Sequence, residues 1–220
     1  MTANALRIAV LPGDGIGEEV TEATLAVLRV VDALHGLGLG FETQRVGAFA
    51  YRDTGTDLSD EAFERCRTAD AILLGACGWP GIRKADGTEI APQITLRQRL
   101  DLYAGVRPIR AIPGVPLPLA DPRAATMDFV ILRESTEGLF FSKDRGVVTP
   151  DHAEETLRLT RGTSERLARF AFRLAERRGA KKRVTLVDKA NVFRAFAWLR
   201  AIFAEEATRH PDVAFDAHYV

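Results

Sequence analysis

The chain has 220 residues, enough for one large domain or two modest ones with a buried core. Thirty Lys and Arg balance thirty Asp and Glu, so net charge gives no electrostatic case for nucleic acid or an anionic membrane as a partner. Cys66 and Cys77 show neither a CxxC nor a metal-ligand spacing, which predicts reduced thiols in a cytoplasm. No apolar run approaches the ~20 residues of a membrane helix. The opening MTANALRIAVLPGDG has too short an apolar stretch for a signal peptide, so a soluble cytoplasmic protein is expected.

Strands and helices alternate in chain order. Residues 6–11 read as an apolar strand, followed by Gly13-Asp14-Gly15-Ile16-Gly17 and a helix with Val20, Thr24, Val27, Val31 and Leu34 on one face. A strand is predicted over 41–46. Ser59 ahead of Asp60 and Glu61 predicts a helix start, and a buried-type strand follows over 71–74. A further helix places Leu96, Leu100 and Tyr103 at helical spacing. Strands over 106–109 and 129–133 flank the proline-rich PGVPLPLADP. The polar–apolar alternation of 156–160 predicts a strand with one exposed face, forming a projecting hairpin with Gly146-Val147-Val148. A helix over 163–178 stops at Gly179, a strand spans 184–187, Val192, Phe196, Leu199 and Phe203 mark another helix, and 213–220 is a last strand. The class is α/β, with a boundary near residues 100–110.

Several motifs fail on their chemistry. Gly13-x-Gly15-x-Gly17 between strand and helix imitates a dinucleotide fingerprint, but that fingerprint needs its third glycine where Glu18 stands. Glu18 and Glu19 also put negative charge where a pyrophosphate would dock. Pro113-x-x-Pro116 is read as a surface turn and Arg177 to Arg183 as a solvated helix end. The four histidines are dispersed and define no metal site.

One constellation survives. Arg97 in TLRQRLDLY, Arg107 in GVRP and Arg133 in LRESTEG offer guanidinium forks that suit a small polycarboxylate, and Lys189 in VDKANV suits proton transfer. Arg97 has a plainer alternative, a surface helix pair with Asp101 four residues on. Arg107 and Arg133 lack that alternative, since each is read as sitting at the end of an apolar strand, where loops gather ligands in α/β sheets.

In order along the chain, LPGDGIGEEV, LLGACGWPG, TLRQRLDLYAGVRP, LRESTEG, VDKANV and the final HYV resemble the β-decarboxylating dehydrogenases, the family of isocitrate, isopropylmalate, homoisocitrate and tartrate dehydrogenases. The resemblance spans essentially all 220 residues. It implies the two-domain isopropylmalate-dehydrogenase-like α/β fold, incomplete at its C-terminus. Residues 1–102 would begin the cofactor-side domain, and 103–220 would form part of the second, with a dimerisation arm near 145–161. It implies a homodimer using NAD or NADP with Mg2+ or Mn2+ to oxidise a 2-hydroxy acid and expel its β-carboxylate. Arg97, Arg107 and Arg133 become the substrate clamp, and Lys189 assists removal of the hydroxyl proton. Asn191 reaches the nicotinamide from the second subunit, and Ile16 and Gly78 line the cofactor side.

The chain departs from the family pattern at two places. Phe140 stands where relatives carry the tyrosine that acts as final acid. The metal aspartates of the family would follow Tyr219-Val220, so no metal ligand is expected within these residues. From this the chain is expected to be a portion of a longer enzyme or a truncated product, inactive and poorly soluble by itself. Residues 90–95, Ile90-Ala91-Pro92-Gln93-Ile94-Thr95, are mixed in polarity and leave the malate analogue open, as does Ser135 where relatives often carry asparagine. The rival reading is a non-catalytic carboxylate-binding or regulatory homologue.

Overall fold

A computed structural model describes residues 5–220 and divides into two compact units, one through Leu100 and one from Asp101. Residues 1–4, which open the stretch judged too short for a signal peptide, lie outside the described residues.

In the first unit, β1 (Leu6–Gly13) leads into α1 (Ile16–His35), β2 (Leu39–Thr43), α2 (Ala48–Thr54), α3 (Asp60–Thr68), β3 (Ala71–Ala76) and α4 (Pro92–Arg99). The strands form a parallel sheet in the order β2-β1-β3, and parallel pairing requires the helical crossovers between them. Ala9 and Leu11 on one face of β1 are buried against Ala62, Phe63 and Cys66 of α3 and Leu96 of α4. The Ser59 side chain caps α3 by accepting from the Ala62 N–H at 3.1 Å, as its position before two acids predicts.

The face assigned to α1 needs correction. Gly17 and Thr21 are its buried residues, whereas Val20, Val27 and Leu34 are exposed. The reason is steric: a Cβ on Gly17 would stand 2.2 Å from the Pro12 carbonyl and 2.6 Å from that of Ala76, so the sheet accepts the helix on its smallest side. Two other boundaries shift. β2 ends at Thr43, and α4 ends at Arg99, leaving Tyr103 outside the helix.

The second unit contains β4 (Gly105–Arg110), β5 (Asp128–Arg133), β6 (Val147–Val148), β7 (Ala153–Glu154), α5 (Arg161–Arg178), β8 (Arg183–Asp188), α6 (Arg194–Ala207) and β9 (Ala214–Tyr219). β4 and β5 pair antiparallel, and β8 and β9 pair parallel. Ala168, Ala171, Phe172 and Ala175 of α5 pack with Phe203 of α6 and Val213, joined by Leu132, Val184, Leu186 and Phe215 from the strands. Gly179 ends α5 in the left-handed conformation at φ 70° and donates to the Ala175 carbonyl, as predicted. The predicted hairpin forms with a different second strand. β6 pairs with Ala153–Glu154, and of residues 156–160 only Arg158 bridges, to Gly138. The Thr149 hydroxyl accepts from the Asp151 and His152 N–H groups, which turns the chain too early for the alternating stretch to reach β6.

At the far end of α5, His210 lies between two acids. Its Nδ1 is 2.6 Å from Glu176 of α5 and its Nε2 is 3.3 Å from buried Glu206 of α6, while its ring stacks on Phe172 at 5.2 Å. Both ring nitrogens must donate to satisfy both carboxylates, which favours imidazolium. The Glu176 bond raises the His210 pKa above the ordinary histidine value, burial opposes it and Glu206 adds to it; Arg209 and Arg169 are the cations facing Glu206. A raised folded pKa stabilises fully below about pH 6.5, the unfolded value, and is lost as pH rises through the folded value. Thermal melts should therefore show a stability gap between wild type and His210→Gln that narrows from pH 6 to pH 9; a constant gap would contradict the pairing.

Candidate functional site

The glycine cluster between β1 and α1 is organised around an acid. Asp14 is 2% exposed, and its carboxylate accepts from the N–H groups of Ala48 at 2.7 Å, Phe49 at 2.9 Å and Gly78 at 2.8 Å. Asp14 thus ties the turn before α1 to the start of α2 and to the loop after β3, a structural use of this glycine run. The same bonds bring Gly78, at φ 114°, to the residue two positions before Ile16, whose side chain opens α1 and is exposed. Cys77 beside this turn is a poor nucleophile. Burial first, then the charges of Asp14 and Asp57, push its thiol up to about 12.

Arg97 lies on α4, half-buried, and makes no ion pair among the described residues. The pair with Asp101 is overturned. The helix stops before Asp101, which turns to φ 52° and receives both nitrogens of the Arg166 fork at 2.5 and 2.8 Å.

Arg107 and Arg133 belong to the second unit. Gly105 faces Arg133 and Arg107 faces Ile131 in the β4–β5 ladder, so both guanidinium stems rise from the same side of the ribbon as diagonal neighbours. Arg107 is the third residue of β4 rather than its end. Gly105 stands opposite Arg133, and a Cβ there would lie 3.1 Å from the Arg133 carbonyl oxygen, so the two strands approach closely at this point. Both arginines are exposed and neither forms an ion pair among the described residues.

Phe140 sits half-buried in the 3-10 turn Leu139–Ser142, with the Arg133 guanidinium 5.7 Å from its ring centre. The acids of LRESTEG shape this segment. Glu134 accepts from the N–H groups of Thr136 and Glu137, and Glu137 accepts from the N–H and hydroxyl of Thr160 ahead of α5. Ser135 is buried beside them in sequence.

Lys189 follows the last residue of β8 and donates from Nζ to the Val220 backbone oxygen at 2.5 Å. Its neighbour Asp188 has a side chain only 1% exposed and is gripped by Arg200 of α6 through Nε at 2.9 Å and Nη2 at 2.6 Å. Asp188 also accepts from the Ala190 N–H at 2.8 Å. Burial pushes the Asp188 carboxyl up, but the Arg200 fork and the Ala190 N–H outweigh it and hold the group below its ordinary value. Asn191 is exposed in the turn before α6. Among the described residues no three His, Cys, Asp or Glu side chains group in a way that could hold a metal ion, and no helix is long and apolar enough to cross a membrane.

A model of the isocitrate/isopropylmalate dehydrogenases matches residues 7–220. The chain belongs to that family. It is 40% identical to 3-isopropylmalate dehydrogenase of Geobacillus kaustophilus over 220 residues, covering 96% of this chain and 58% of the relative. The TT0538 protein of Thermus thermophilus has a similar structure, with a TM-score of 0.83 at 32% identity, over 100% of this chain and 42% of that one. Isocitrate dehydrogenase of Methylococcus capsulatus gives 0.81 at 31% identity, over 97% and 60%. This dehydrogenase-family chain therefore spans 58% of the length of the first of these relatives. The mixed α/β architecture expected from sequence is the family's.

Sequence reasoning passed over two residues of this family member that organise the site elements. Asp14 was in view within the glycine run, but its partners lie 34, 35 and 64 positions away. Arg200 gave no signal, because its partner lies 12 residues back across a turn, outside any helical or strand period.

Proposed function

We propose that the protein carries out NAD- or NADP-dependent, Mg2+- or Mn2+-dependent oxidative decarboxylation of a 3-substituted malate, of the isopropylmalate or isocitrate kind, as a cytoplasmic homodimer. The observation that carries this reading is the β4–β5 ribbon. Arg107 and Arg133 rise on one side of it with no carboxylate of the described residues neutralising either. Charge-assisted hydrogen bonds contribute roughly 1.5–3 kcal/mol each, so two forks hold a dicarboxylate firmly.

In this reading Lys189 accepts the hydroxyl proton of the substrate. Phe140 has no proton to give, so water protonates the enol carbon and the rate lacks the ~10²–10⁴ that a positioned acid supplies. Ile16 and Gly78 would line the cofactor side, and Asn191 would reach the nicotinamide of the second subunit's site. The described residues do not by themselves fit the metal, since they group no three suitable ligands, and the glycine turn lacks the spacing of the ordinary dinucleotide fingerprint for the cofactor pyrophosphate. No step is assigned to either group. The β6–β7 hairpin, with Val147 and Val148 exposed, serves as the clasp between subunits.

Phe140 also supports a second reading, a carboxylate-binding homologue without turnover. NADH or NADPH absorbance with the full-length protein, Mn2+ or Mg2+ and a panel of isopropylmalate, isocitrate, homoisocitrate, tartrate and malate separates the two. Turnover of one member is expected. Tight calorimetric binding without turnover of any would replace the first reading by the second.

A further inference from the structure

The turn that carries Lys189 is held from behind by a residue with no place in the substrate clamp. Asp188 Oδ1 accepts from the Ala190 N–H, closing an Asx-type turn around Lys189, and the same carboxylate takes both nitrogens of the Arg200 fork. The Arg200 guanidinium also lies 4.6 Å from the ring centre of Tyr219, the residue paired with Asp188 across the β8–β9 ladder. One side chain on α6 thus fixes the end of β8, the turn after it and the facing residue of β9. The Asp188 side chain is almost wholly enclosed and Arg200 about three-quarters so. Such a fork has one geometry, which a lysine ammonium on a flexible stem cannot reproduce.

We propose that Arg200 is a positioning residue for Lys189, acting through Asp188 to hold the Lys189 turn in the orientation that proton transfer needs. The inference rests on the reading of Lys189 as the proton acceptor. A purely structural Arg200 would stabilise the β8–α6 packing and leave the amine of the folded protein unaffected. A positioning Arg200 changes the rate and the titration of that amine in protein that is still folded.

The test uses full-length protein and compares wild type with Arg200→Lys, Arg200→Met, the charge-neutral pair Asp188→Asn/Arg200→Met, and Lys189→Met. The pair removes both charges, so it remains folded even where Arg200→Met leaves a buried carboxylate uncompensated. The kcat of Arg200→Met and of the pair should fall about 10- to 100-fold, the scale of a misplacement near 1 Å, with KM changed less than about threefold. The limb of the kcat–pH profile assigned to Lys189 should move, and Arg200→Lys should recover only part of the loss.

A second readout needs no turnover: the titration midpoint of the 13C-dimethylated Lys189 amine, assigned by its absence in Lys189→Met, should shift in both Arg200→Met proteins. If the neutral pair regains wild-type kcat and midpoint, Arg200 merely neutralises Asp188 and the inference fails. If Lys189→Met keeps its turnover, the reading of Lys189 fails and takes the inference with it. Loss of turnover in Lys189→Met beside unchanged kcat, pH profile and midpoint in the Arg200 variants overturns the inference alone. Should wild type turn over no substrate, the midpoint decides: a shift supports the positioning contact, and no shift overturns it.

Discussion

Asp14→Ala should destabilise the first unit by about 2–4 kcal/mol, because three N–H groups, one buried and two partly buried, lose their acceptor at once. A single unsatisfied donor costs about 1–3 kcal/mol, and the three share one carboxylate, so the costs do not add in full. The contacts join three places in the chain: the turn before α1, the start of α2 and the loop after β3. Asp14→Asn keeps one acceptor oxygen and should lose less. Gly47→Ala should resemble Asp14→Ala, since a Cβ there would stand 2.3 Å from Asp14 Oδ2 on a backbone at φ 105°. Hydrogen exchange at the Ala48, Phe49 and Gly78 amides measures this directly. Protection that survives Asp14→Ala would show that the carboxylate is dispensable.

Phe172→Ala should cost the second unit about 3–5 kcal/mol, the usual range for emptying a buried aromatic site. Phe172 is fully buried, packs at 5.8 Å from the Phe215 ring and carries the stacked His210 ring on another side. Its neighbours come from α5, β9 and the turn after α6, none of which can collapse inward without dragging a helix or strand with it. The loss should appear as faster exchange of α5 and β8 amides, with Phe172→Leu intermediate. A change below about 1 kcal/mol would mean that the cavity closes, contrary to this packing.

Much of the architecture was legible because it rests on local signals. Ser59 and Gly179 mark helix ends through caps that a few residues define, and the apolar runs before Gly13 and Asp188 are strands buried on at least one side. The α1 face was misread because periodicity reports which residues share a side but not which side a neighbour accepts. Here the small residues Gly17 and Thr21 meet the sheet, and the valines remain outside. The β7 strand was misplaced because Thr149 tightens the turn, a side-chain effect that alternation does not register.

At the site, residue types suggested an acid clamp and the ordered motifs suggested a family, to which the chain does belong. The sharing of one ribbon face by Arg107 and Arg133 depends on register, which no single strand contains. The grip of Arg200 on Asp188 depends on how α6 folds back over β8 and was not legible at all.

A double-mutant cycle on kcat/KM in the full-length protein tests whether Arg107 and Arg133 hold the same dicarboxylate, as proposed. Arg107→Ala and Arg133→Ala should each lower kcat/KM by about 10- to 100-fold for the malate analogue that is turned over, the scale of one lost charge-assisted hydrogen bond. The double variant should lose less than the product of the two, because each fork needs the other to seat the substrate. Kinetics unchanged by either substitution, or losses that multiply with no coupling, would contradict a shared site.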